Sequence, residues 1–198
     1  NTAVGFKTML DNTTGDYNTG IGRDALANNT TADLNTAVGY SSLLCNTTGS
    51  QNTAIGADTL GKNTTAICNT AVGNNALYNT TTGSRNVAVG TNSLTTNTTG
   101  AINTAVGFGA LNANSTGQCN TAVGRDALLR NTTGASNVGI GGGSLEFNTT
   151  GGSNTGIGIQ ALYSNTTASN NTAVGFKSLV ANTTGCQNTA VGTSALLD

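Results

Sequence analysis

From Asn1 onward the chain repeats itself every 17 residues, giving eleven complete units and an 11-residue twelfth, with no insertion or deletion. Each unit opens on Asn-Thr-Ala-Val-Gly or a close variant, as at Asn35-Thr36-Ala37-Val38-Gly39. It passes through a Leu and reaches a second signal such as Asn46-Thr47-Thr48-Gly49. A short, strict period means one supersecondary unit stacked on copies of itself, so each coil must cover its neighbour. The chain therefore reads as a single solenoid over residues 1–198, and each of its 17 columns reports one environment sampled eleven or twelve times.

Composition narrows the function. Charged residues make up 8% of the chain, against about 25% in ordinary domains. So few large apolar residues could indicate disorder, but a disordered chain has no need to hold a register. A net charge of −1 gives no attraction for nucleic acid or an anionic membrane. No apolar run approaches the ~18 residues of a membrane span. The chain has no histidine, which removes Ser-His and Cys-His nucleophiles and metal sites built on imidazole. No catalysis, cofactor or metal is expected. Cys68 and Cys119 share column 17 three coils apart, roughly 14 Å at the ~4.8 Å strand spacing. That exceeds the ~7 Å Cα limit for a disulfide. Cys45 and Cys186 lie in distant coils, so all four cysteines read as unpaired.

Column 4 is Val or Ile in all twelve units, and column 9 is Leu in eleven and Met9 in the first. The expected core therefore joins Val4, Ile21 and Val38 to Leu26, Leu43 and Leu60. Column 2 is Thr except at Val87 and Val138, a same-shape exchange that places it inward beside column 4. Strand alternation then sends column 3 outward. Column 3 is only Ala or Gly, so Ala3, Ala37, Ala54 and Ala71 read as a self-association surface held small by a packed backbone, in a trimer or other bundle. Column 5 is always Gly, which fits a turn at positive φ.

All fifteen charged and all eight aromatic residues fall in columns 6, 7, 10, 11, 16 and 17, which makes these the outer surface. Phe6, Arg23 and Tyr40 follow one another in column 6, where a guanidinium over a ring contributes roughly 0.5–1 kcal/mol. Asp24 and Asp126 each follow an Arg and read as surface ion pairs.

Column 1 is Asn in all twelve units and column 12 in ten of eleven, Thr80 being the exception. Such columns can stack as amide ladders. The Asn-Thr-Thr signal also fits the glycosylation acceptor pattern at Asn12, Asn29, Asn46, Asn63, Asn79, Asn97, Asn131, Asn148, Asn165 and Asn182. Asn114 carries the Ser form, and Asn28 and Asn170 fit through the Asn-Thr pair that follows each. Both readings stand at this point: an inward ladder without sugar, or an outward glycan on each coil.

Recurrent Gly with abundant Thr and Asn disfavours helix. The expectation is all-β: twelve layers of short parallel strands, forming a rod about 55 Å long. Neither end departs from the repeat, so the chain reads as part of a longer fibre or as a rod that stacks end to end.

The unit Asn120-Thr121-Ala122-Val123-Gly124 with Ala127-Leu128 resembles the head repeats of trimeric autotransporter adhesins. It is more similar still to the Asn-Thr-Ala-Val-Gly and Asn-Thr-Thr-Gly repeats of tail-fibre-like proteins. The resemblance covers the whole chain. It implies left-handed parallel β-coils, commonly trimeric, displayed outside a cell or on a virion. The functional expectation is thus a structural extracellular fibre or adhesin shaft whose partners are copies of itself. Alternatives are an ice-binding solenoid using Thr columns 2, 13 and 14, or a fibre module that binds surface glycans or a receptor through the aromatics of columns 6 and 10.

Overall fold

The computed structural model describes residues 1–197 and is a parallel β-solenoid of 17-residue coils. Each coil contributes one three-residue strand, from β1 (Thr2–Val4), β2 (Thr19–Ile21) and β3 (Thr36–Val38) through to β12 (Thr189–Val191). Among the described residues there is no helix. The twelve strands form one sheet in sequence order. Every pair has the same parallel register, Thr2↔Thr19, Ala3↔Gly20 and Val4↔Ile21 setting the pattern.

Three residues per coil cannot hold a sheet alone, and the ladder continues around the turns. The Gly22 N–H donates to the Val4 carbonyl at 2.8 Å, Asp24 N–H to Phe6 O at 2.9 Å, and Met9 N–H to Ala25 O at 3.0 Å. The same bonds recur coil after coil, so these N–H groups are satisfied by the neighbouring layer, while the column 12 N–H closes its own coil on the column 9 carbonyl, as Asn29 to Leu26 at 3.1 Å.

Keeping those groups aimed along the stack requires an unusual backbone. Column 5 glycines sit at φ between 122° and 139°, a region closed to side chains. An added Cβ at Gly107 would lie 2.5 Å from the Gly124 carbonyl oxygen. Columns 7, 9 and 17 also take positive φ with ordinary side chains, as at Asp24 (58°), Leu26 (53°) and Leu34 (60°). The left-handed conformation costs roughly 1–2 kcal/mol per non-glycine residue, which the cross-coil bonds offset. At column 9 it turns the Leu inward.

The core is a narrow seam. Leu26, Leu43, Leu60 and their equivalents through Leu162 are 0% exposed, stacked with the small residues of columns 3 and 8. The expected Leu column is thus present. The expected Val column is not: Val4 is 58% and Ile21 41% exposed, and Val38 is half-buried. Ala37, Ala54 and Ala71, expected on an outer packing face, are completely buried. Ala3 is exposed only because it lies in the first coil. The face assignment of the strand is therefore reversed, with columns 1 and 3 pointing in and columns 2 and 4 out. The physical reason is width: opposite an inward Leu the seam has room for a methyl group or none, and a Val would not fit.

Two substitutions test this backbone. Gly107→Ala should lower stability by more than about 1 kcal/mol, because the methyl meets the next coil's carbonyl. Ile102→Gly, at an exposed left-handed site with φ 60°, should raise it by about 1 kcal/mol. Chemical denaturation midpoints read both, and an unchanged or lower midpoint for Ile102→Gly would contradict the strain assigned to column 17.

Candidate functional surfaces

The two Asn columns line the interior and close each coil. In the third coil the amides of Asn35 and Asn46 both donate to the Gly49 carbonyl, each at 2.9 Å. Asn35 Oδ1 accepts the backbone N–H of Asn52 in the next coil at 2.9 Å. Column 12 forms an amide ladder: Asn29 donates to Asn12 Oδ1 at 2.8 Å, Asn46 to Asn29 at 2.8 Å and Asn63 to Asn46 at 2.7 Å. It resumes from Asn114 to Asn97 and continues to Asn182. Each primary amide has two N–H donors, and along the ladder from Asn29 to Asn63 and from Asn114 to Asn182 both are engaged, one on the neighbouring rung and one on the coil's own carbonyl.

This geometry overturns the glycan reading of column 12. Asn29, Asn46, Asn63, Asn97, Asn114, Asn131, Asn148 and Asn165 have no exposed surface, and a sugar on Nδ2 would break both of its bonds inside a packed seam. In the end coils Asn182 makes both bonds, while Asn12 donates only to the Gly15 carbonyl and accepts from Asn29; both are half-buried. Asn79 belongs to column 11, where its amide donates to the Thr95 carbonyl at 3.0 Å. Of the acceptor-pattern residues, Asn28 and Asn170 are exposed.

Thr80 interrupts the ladder. Asn97 Nδ2 reaches its hydroxyl at only 3.4 Å, and the Asn63 Oδ1 below is buried without a partner. An orphaned acceptor of this kind costs roughly 1–3 kcal/mol.

Outside, the constant columns form two surfaces. The sheet face presents column 2 Thr, typically half-buried, beside column 4 Val or Ile, exposed or half-exposed. Column 13 hydroxyls donate to the next coil's carbonyl, as in Thr30 to Thr47 at 3.0 Å. Column 14 is Thr in all eleven units that reach it and is exposed throughout. Among the described residues, the hydroxyls of columns 2 and 14 make no hydrogen bond within the chain. The sequence held a signal for the sheet face: an inward Asn1 column forces column 2 outward by strand alternation.

The variable columns line the remaining surface. Arg23 lies 5.9 Å from the Phe6 ring centroid and 5.8 Å from that of Tyr40, the stack expected from the sequence. Both expected ion pairs are present, Arg23–Asp24 at 3.1 Å and Arg125–Asp126 at 2.9 Å. Phe108 and Arg125, also in column 6, are not stacked; Arg125 turns to Asp126 instead. Arg130 covers Phe147 at 4.2 Å, and Phe147 meets the edge of Tyr163 at 4.9 Å. Gly142 and Gly143 leave a cleft of about 210 Å³ bounded by Arg125, Asp126, Glu146 and Gln160. Desolvation, then the nearby Asp126 charge, holds the Glu146 carboxyl above its ordinary pKa. Cys45, Cys68, Cys119 and Cys186 are free thiols.

Among the described residues no group of three or more His, Cys, Asp or Glu is arranged to hold a metal ion, and no helix is long and apolar enough to cross a membrane. No protein-family model matches the chain, nor does any curated protein or solved structure.

Two measurements follow from the ladder. Thr80→Asn supplies the missing rung and should stabilise the rod by about 1–2 kcal/mol; a loss of stability would show that Asn63 Oδ1 is satisfied in some other way. Folded protein secreted through a glycosylating pathway should carry no sugar on column 12, with any modification confined to Asn28 and Asn170. Glycopeptide mass spectrometry reads this site by site.

Proposed function

We propose that the chain is a structural rod of an extracellular fibre, non-catalytic and assembling end to end with copies of itself or with further coils of the same repeat. The observation that carries this reading is the uniformity of the stack. All twelve strands pair in one parallel register, and the same backbone and Asn hydrogen bonds recur from coil to coil. A further coil in that register would continue every hydrogen-bonded column, and strand edges invite such addition. The inward place of column 3 removes the lateral contact expected there, which favours axial stacking. Display outside a cell or on a virion comes with the fibre reading.

Negative-stain electron microscopy at rising protein concentration tests the proposal. The expected result is filaments one rod wide whose length grows with concentration. Ala190→Glu, which places a charge in the nearly buried last strand, should leave single rods about 55 Å long. Dispersed single rods of the unsubstituted chain at every concentration would overturn end-to-end assembly.

A further inference from the structure

We propose that the outward face of the sheet binds the surface of ice through its paired columns of Thr hydroxyls and Val or Ile methyl groups. The inference goes beyond the fibre reading, because a rod can present such a face whether or not it polymerises.

Uniformity of shape is the first observation. Facing solvent, a column is free to drift in sequence, as columns 6, 7, 10, 11, 16 and 17 do. Columns 2 and 4 face solvent and do not drift: column 2 holds Thr with Val at two coils, and column 4 holds only Val and Ile. High strand propensity selects β-branched residues, but it would equally admit Tyr, Phe or Trp. None occurs here. No charged side chain occurs here either. What stays constant is a β-branched side chain of nearly one size, repeated coil after coil.

Geometry is the second. The strand register is identical across all twelve strands. The outward side chains therefore form a lattice of two columns, with rungs ~4.8 Å apart along the rod and roughly 6.6 Å between columns. These spacings are of the same order as the oxygen spacings on ice crystal faces. The column 2 hydroxyls have no partner within the described chain, so each can donate to and accept from water. The adjoining methyl groups leave the water between them few alternatives to a cage-like order. A ligand that is itself periodic gains one more contact set with each coil. An aperiodic partner gains nothing from repetition.

Two other periodic occupants fit less well. A second copy would bury roughly 550 Å² per rod over twelve three-residue strands, below the ~800 Å² per partner of a standard interface. Two identical combs can also slip by one rung without penalty, so nothing would fix their register. A crystalline polysaccharide is bound through aromatic platforms, and this face has no aromatic residue.

The test measures freezing hysteresis and ice-crystal shape with the whole chain, beside light scattering and binding to microcrystalline chitin and cellulose. The unsubstituted chain should hold the freezing point below the melting point and facet the ice crystal. Thr104→Lys and Thr121→Lys, in the middle of column 2, should abolish both effects, while Gln118→Lys on an outer column should keep them. Circular dichroism and melting temperature identify which variants remain folded, and Thr104→Val serves as a shape-conserving second variant that should retain ice shaping. Absence of hysteresis and faceting in the folded unsubstituted chain overturns the proposal. So does a lateral dimer or polysaccharide binding that Thr104→Lys disrupts while ice growth is unaffected by any of the proteins. Filament formation is read separately, so failure of the fibre reading and failure of this one are distinguishable.

Discussion

The rod depends on hydrogen bonds that run between coils rather than within them. A 17-residue turn encloses one Leu, a few small side chains and two Asn amides. Full burial of a Leu contributes only about 1.5–3 kcal/mol, against roughly 1–2 kcal/mol of backbone entropy for each residue ordered. Apolar burial alone does not hold such a coil. The polar interior is what makes the seam possible, because both Asn amides converge on one carbonyl and then reach into the neighbouring layer. In a low-dielectric interior a network of this kind is strong when complete and costly when broken. Stability is accordingly a property of the stack and not of any one coil.

That dependence explains the backbone. Left-handed φ at Leu26, Leu43 and every later column 9 residue would be a poor local choice in an isolated peptide. In the stack the same torsions aim the column 9 N–H groups along the rod, where the next coil's carbonyls wait at 2.9–3.0 Å. The strain is offset by the layer above and the layer below.

The period, the strand, the turn glycine and the Leu column were legible in the sequence, because each is a choice the coil makes identically every time. The strand's facing was not legible from constancy, since Val4, Ile21 and Val38 belong to a constant column that faces outward. Size was the better guide: a seam already filled by Leu accepts Ala37 or Gly20 and rejects Val. The Asn columns carried the same information, since an inward Asn35 fixes Thr36 as outward. The left-handed residues at columns 7 and 17 left no trace, as Asp24, Gln51 and Ile102 share no chemistry. There the conformation is imposed by neighbours, and side-chain identity has little part in it.

The gap in the amide ladder at Thr80 carries a mechanical consequence. Asn63 lies below it with an idle oxygen, and Asn97 lies above on a long bond. A column that transmits load rung by rung is only as strong as its weakest rung. The fifth coil therefore divides the amide ladder into a shorter and a longer block, joined there by the backbone ladder and the column 1 Asn bonds. Under tension along the axis, the amide ladder offers its least resistance there.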